Sequence, residues 1–255
     1  MKVIFDWLDR IRKRKEIVIK SLPSQGIFYN ADFRLWIKKA SVEDILEYEK
    51  LYTNDIAVVL SLVKNIVRKY TTMPSKYTFE DIKSIDVVFI FLQIVSYSQN
   101  KTIKIEYYND VTGKQEFVDF TPDKFNYFNL TDLLKDSFNI DTKEFTIEGY
   151  RYSIPSIGIE TSLTHYLIEK SQAPNSQIYN TYDYNFMYFL GNKKLLTFSE
   201  IDNLIEIFNN DMDDSEKARI NNIIERFKGF SKYSVKNNNK VVEINNKIDL
   251  GSIWK

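Results

Sequence analysis

The residues that could carry chemistry are few. Nucleophilic catalysis through a triad needs a base that exchanges its proton near neutral pH. The chain has one histidine, His165, in the stretch Thr164-His165-Tyr166 of helical periodicity. A lone helical histidine reads as a packing or surface residue. There is no cysteine, which removes disulfides, thiolate chemistry and zinc sites built on sulfur. Phosphate-binding loops need closely spaced glycines ahead of a helix. Gly113-Lys114 and Gly191-Asn192-Lys193-Lys194 stand alone, so neither a P-loop nor a dinucleotide fingerprint is present.

Two acidic patterns remain. The stretch Asn209 to Glu216 superficially resembles a calcium loop. With Asp211, Asp213 and Ser215 as leading ligands, Glu216 falls where glycine must turn the chain, and Asn222 where a bidentate glutamate belongs. Starting at Asn209 puts Asp214 and Ile220 at those positions, and both registers fail. Asp213 followed by Glu216 reads instead as a helix cap. The triplets Asp81-Ile82-Lys83 and Asp141-Thr142-Lys143 have the form used by metal-dependent nucleases, but no strand-borne second acid accompanies them. The sequence therefore predicts no catalytic residue, no metal, no cofactor, no small-molecule substrate and no enzyme activity.

Charge is concentrated at one place. Arg10, Arg12, Lys13, Arg14 and Lys15 form a basic cluster, whereas the whole chain balances 35 Lys and Arg against 35 Asp and Glu. The cluster has two readings, a contact with nucleic-acid phosphate or lipid headgroups or a solvated face between docked elements. The neutral balance favours the second, since the chain carries no net field toward nucleic acid or an anionic membrane.

The elements that must position these groups follow from periodicity. Of the 255 residues, 44% are hydrophobic and 15% aromatic, a composition that folds rather than staying disordered. Ile4, Trp7, Leu8 and Ile11 predict a short amphipathic helix, too short and too acidic for a secretory signal. An extended Ile17 to Ile19 follows. Pro23 and Gly26 then set a defined loop over Leu22 to Tyr29, ahead of a strand through Phe33, Leu35 and Ile37. Ser41 caps a helix bearing Ile45, Tyr48, Leu51 and Tyr52. A second helix from about Asp55 buries Ile56, Val59, Leu60, Val63, Ile66 and Val67. A third, Ser84 to about Tyr97, is apolar nearly all round and is expected at the centre. Its apolar run falls far short of the ~20 residues that span a bilayer, which predicts a soluble chain.

The period then changes to two. Thr102 to Tyr108 and Gln115 to Phe120 flank a turn at Asn109 to Gly113, and a second hairpin over Glu144 to Ile154 turns at Glu148-Gly149. Leu133 and Leu134 suggest a helical turn or two between them. Helices follow at Ile159 to Lys170, Tyr182 to Leu190, and behind the caps Thr197 and Asp213, with Lys228-Gly229 closing the last. In the tail, Val241, Val242, Ile244 and Ile248 can pair as strands. The fold class read from this pattern is α+β, mostly helical, with two inserted β-hairpins and a short C-terminal β segment. Residues 1–20 form the N-terminal helix and basic segment, 21–174 a mixed α/β core, 175–230 a helical region and 231–255 an extended tail.

One pattern rises above a generic domain. Leu22-Pro23-Ser24-Gln25-Gly26-Ile27-Phe28-Tyr29, the strand to Lys38 and Ser41-Val42-Glu43-Asp44-Ile45-Leu46 come in order. A helix with Asn65 to Arg68 follows, then the apolar helix ending Gln93 to Tyr97. The hairpin with Phe117-Val118-Asp119-Phe120 and the stretch Tyr152 to Gly158 come last. This series resembles the baseplate hub and hub-assembly proteins of T-even-type contractile-tailed bacteriophages, over about two-thirds of the chain. The resemblance implies a non-enzymatic tail protein or assembly chaperone with other tail and baseplate proteins as partners. It implies work in the host cytoplasm during assembly, or in the virion baseplate. Relatives with paired cysteines at the hairpin tip have no counterpart here, where Asn109 to Gly113 occupies it, so no zinc follows. Within the family-like loop, Leu22, Pro23, Gly26, Ile27, Phe28 and Tyr29 form the first candidate partner contact. The other reading of the same aromatics is that they cover the first helix.

Overall fold

The computed structural model describes residues 16–19, 22–49, 56–99, 102–109, 112–120, 132–171, 185, 187–188, 195–230, 233–237 and 240–244. The predicted helix through Ile4 to Ile11, the whole cluster Arg10 to Lys15 and most of the stretch expected as a helix at Tyr182 to Leu190 lie outside them.

The chain has a mixed α+β fold with small antiparallel sheets. Strand β1 (Ile17–Val18) pairs with β2 (Trp36–Ile37), which pairs with β3 (Thr71–Thr72). The expected strand from Phe33 is thus cut to its last two residues. A turn closed by Phe33 N–H on the Asn30 carbonyl precedes it, and Phe33 and Leu35 both enter the core. Helix α1 (Val42–Glu49) starts where Ser41 predicts, its Oγ accepting from Asp44 N–H at 3.2 Å. Helix α2 (Ile56–Tyr70) buries Val63, Ile66 and Val67 at helical spacing and leads directly into β3.

Helix α3 (Ser84–Gln99) is the centre of the molecule. Every residue from Ile85 to Leu92 is buried, as are Ile94 and Val95. A helix without a polar stripe can be stable only when neighbours cover it on all sides. Loop 22–29, β2, α2 and the hairpin of β4 (Ile103–Asn109) with β5 (Lys114–Phe120) supply residues to the same cluster. That hairpin pairs in seven-residue register from Ile103↔Phe120 to Asn109↔Lys114. Its period of two puts Ile103 and Val118 inward and leaves Phe117 60% exposed.

Helix α4 (Asp132–Ser137) gives the short helical segment expected around Leu134 and runs into β6 (Phe138–Asn139). Strands β7 (Glu144–Ile147) and β8 (Tyr150–Tyr152) form the second hairpin, and β6 adds a third strand to its sheet. Its turn residues Glu148 and Gly149 have φ of 54° and 85°, the pair of left-handed conformations a two-residue hairpin turn requires. Helix α5 (Ile157–Ser171) begins two residues earlier than periodicity suggested. It packs through Ile159, Leu163, Tyr166 and Leu167 against Leu196 and Ile201 of α6 (Phe198–Glu206) and its approach.

Thr197 and Glu200 cap α6 reciprocally. A single π-helical turn, Ile207–Asp211, carries Phe208 inward, and α7 (Asp214–Phe230) follows. Helix α7 runs one residue past Gly229, so this glycine lies inside the last turn rather than closing it. In the tail, β9 (Tyr233–Asn237) pairs with β10 (Lys240–Ile244), bringing Val242 opposite Val235. Ile248 lies outside the described residues. Among the described residues no helix is long and apolar enough to cross a membrane.

Phe89 and Phe91 are 1% and 0% exposed within the cluster around α3. Replacing either by Ala is expected to cost roughly 3–5 kcal/mol by chemical denaturation, because a ring-sized cavity in a close-packed site cannot collapse fully. A loss below about 1 kcal/mol would mean that this helix does not carry the core.

Candidate functional site

The segment with the most individual sequence pattern, Leu22 to Tyr29, folds as a tight spiral of turns. Gln25 N–H donates to the Leu22 carbonyl (2.8 Å), Ile27 N–H to Ser24 (3.2 Å) and Tyr29 N–H to Gly26 (3.0 Å). The spiral turns through two consecutive left-handed residues, Gln25 at φ 53° and Gly26 at φ 74°. Gly26 has open space around its missing Cβ, so backbone conformation rather than crowding favours glycine there.

What fixes the spiral is a buried carboxylate from α3. Asp86 Oδ1 accepts from Ser24 N–H at 3.0 Å, and its Oδ2 accepts from Ser24 Oγ at 2.8 Å and Tyr29 Oη at 2.7 Å. Both hydroxyls are themselves acceptors. Ser24 Oγ receives Gly26 N–H at 3.2 Å, and Tyr29 Oη receives Lys83 N–H at 2.8 Å. Lys83, also buried, donates its Nζ to the Ile154 carbonyl at 3.1 Å. Ser24 and Asp86 are both 0% exposed. Ordered polar groups of this kind are stable in a core only when they are hydrogen-bonded.

The electrostatics follow from that burial. Desolvation pushes the Asp86 carboxyl up to about 6, against the opposing pull of the Ser24 and Tyr29 donors and the Lys83 charge. Desolvation lowers the Lys83 ammonium to about 8, opposed by Asp81, Asp86 and Glu144. It also raises the Tyr29 hydroxyl, helped by the Asp86 charge, so this group stays a donor. A hydroxyl donating to a carboxylate, with an amine of lowered pKa close in sequence, has the outline of an activated nucleophile. Here Ser24 is sealed from solvent, and its hydroxyl is engaged with Asp86 and the Gly26 amide.

The expected contact residues therefore part ways. Leu22, Pro23, Phe28 and Tyr29 are buried in this chain's own interior. Phe28 meets Phe138 edge-on at 5.7 Å, and Tyr29 stacks on Phe33 at 4.1 Å. These side chains are committed to internal packing, and of the six expected contact residues Gly26 and Ile27 alone keep partial exposure. The elements they cover are α3 and the β6–β7–β8 sheet. Sequence reading missed Ser24, Lys83 and Asp86. The available signal was Asp86 itself, an acid inside a helix with no polar face, which must have a partner.

The other candidate residues lie elsewhere in the fold. Asp213 Oδ1 accepts from Glu216 N–H at 2.9 Å and Ser215 Oγ at 2.7 Å, as a helix cap does. Asp81 accepts from Thr78 N–H at 2.7 Å in a short 3₁₀ turn, and Asp141 to Lys143 form the turn between β6 and β7. His165 is exposed on α5. Among the described residues no group of three or more His, Asp or Glu could hold a metal ion. No family model, curated protein or solved structure matches the chain.

Two outcomes follow. The double change Phe28→Ala, Tyr29→Ala removes packing from two buried positions and is expected to lower the melting temperature by more than about 10 °C or to prevent accumulation. An unchanged melting curve would return these side chains to the surface. The second outcome concerns pH. Folded Asp86 holds its proton more tightly than the unfolded chain does, so its contribution to stability is complete at acid pH. It declines as pH rises from the ordinary carboxyl value near 4 to about 6. Compared with Asp86→Asn, which does not titrate, the wild type should lose roughly 2–3 kcal/mol of relative stability across that window. A difference that stays flat from pH 4 to 7 would contradict the assignment.

Proposed function

We propose that this chain is a non-enzymatic tail protein of a contractile-tailed bacteriophage, a baseplate hub component or hub-assembly chaperone that binds other tail proteins. One observation carries the reading. Stretches on which the baseplate-hub resemblance rests, Leu22 to Tyr29, the apolar helix and Tyr152 to Gly158, meet around Asp86 and Lys83. Ser84 N–H donates to the Pro155 carbonyl at 3.0 Å, Ile157 N–H to Ile82 at 2.8 Å, and Lys83 bridges to Ser156. Patterns far apart in sequence that converge on one buried network belong to a single architecture. That supports treating the resemblance as one of fold rather than of scattered residues.

Because Phe28 and Tyr29 are internal, partner recognition falls to other surfaces. The alternative, an adaptor for membrane surfaces or nucleic acid, rests on Arg10, Arg12, Lys13, Arg14 and Lys15 alone.

The test is infection with a phage lacking this gene, complemented from a plasmid. Loss of assembled baseplates and tails without the gene, and their return with it, is the expected outcome. Mass spectrometry of purified virions then separates a hub component from a chaperone that leaves. Normal tails without the gene would overturn the proposal. Salt-sensitive binding to anionic vesicles or DNA, abolished by neutralising the five basic residues, would replace it with the adaptor.

A further inference from the structure

The interior is divided into distinct apolar clusters. One surrounds α3, with α2, β2 and the β4–β5 hairpin. A second joins β7, β8 and α7 through Phe145, Tyr152, Ile224 and Phe227. Three short segments each send side chains into both. In the loop, Tyr29 enters the first cluster and its neighbour Phe28 the second. At the start of α3, Val87 and Val88 enter the first and Ile85 the second. Beyond β8, Ile157 enters the first and Ile154 the second.

The same three segments are tied to one another by buried polar bonds. The loop is held to α3 through Ser24 and Tyr29 on Asp86, and through Lys83 N–H on Tyr29 Oη. The start of α3 is held to the segment beyond β8 through Ser84 N–H and Oγ on the Pro155 carbonyl and Lys83 Nζ on the Ile154 carbonyl. Ile157 N–H on the Ile82 carbonyl completes the set.

We infer that this knot is a mechanical joint that makes the two clusters open and close as one cooperative unit. Each segment presents adjacent or near-adjacent side chains to opposite clusters. A shift of either cluster relative to the other must therefore pull on backbone that Asp86, Lys83 and Ser84 hold in place. Coupling of this kind is carried by an element with packed contacts on both sides and a small number of bonds that define its geometry. With the bonds intact, neither cluster can loosen without dragging the knot. With them removed, the smaller cluster around α7 is free to open while the larger one around α3 stays closed.

Native-state hydrogen exchange on the full-length chain, read by mass spectrometry, tests this with peptides from α3 and from α7. In the wild type both sets should share one opening equilibrium. In Tyr29→Phe, which keeps the ring and removes the two hydroxyl bonds, α7 and β7–β8 peptides should exchange at least about tenfold faster relative to α3 than in the wild type. Asp86→Ala should widen the gap. Phe89→Ala, which weakens the larger cluster away from the knot, provides the comparison and should accelerate both sets by the same factor. Because Asp86→Ala can fail to fold, Tyr29→Phe decides. Equal acceleration of both sets in that variant, no change in either, or separate openings already present in the wild type would each overturn the joint.

Discussion

A carboxylate has been taken out of water at the centre of this molecule, and that act constrains what surrounds it. An ionised group in an apolar interior is tolerated only when donors replace its lost hydration. Asp86 obtains them from a loop 57 to 62 residues away in sequence. The requirement runs in both directions. Ser24 and Tyr29 can be sealed inside only because Asp86 accepts from them. The backbone of Gly26 and Lys83 is in turn satisfied by the same two hydroxyls. The tight spiral, its left-handed residues and the path of Phe28 and Tyr29 into separate clusters all hang on this exchange.

Around it the apolar packing is dense but conventional. Helix α3 is covered on every side, Tyr29 stacks on Phe33 beside it, and the rings around Phe145 meet at tilted angles. The polar network adds geometric definition that apolar packing alone does not give, since hydrophobic contact is non-directional. Titration shapes its effect. Near neutral pH Asp86 is largely ionised and Lys83 largely protonated, so opposite charges sit close to the same buried backbone.

What could be read from the chain beforehand was whatever depends on near neighbours. The central helix was legible because its apolar character does not alternate. Both hairpins were legible from period two and from Gly113 and Glu148-Gly149. The caps at Ser41, Thr197 and Asp213 each span only four residues. What depends on distant partners was not legible. Successive aromatics after a glycine have no periodicity to say whether they point inward, so the destination of Phe28 and Tyr29 was undetermined. The pairing of Ser24 with Asp86 spans 62 residues, so no local pattern marks it. The strand from Phe33 was shortened for a similar reason: Phe33 N–H turns back onto the Asn30 carbonyl, and only Trp36 and Ile37 lie in register with both β1 and β3.

The hydroxyl of Tyr29 is at once a donor to Asp86 and an acceptor from the backbone at Lys83. A position with both duties constrains how the sequence can drift. Losing the acid at 86 would strand the amide of Ser24 and both hydroxyls, while losing the hydroxyl at 29 would leave the buried Lys83 amide unpaired, and losing either hydroxyl would leave an under-satisfied charge. Single substitutions along that route pass through poorly paired intermediates. Descendants of this chain should thus keep the serine, the tyrosine and the aspartate together, or exchange them as a set for apolar residues, leaving a correlated signature across positions that lie far apart in the linear text.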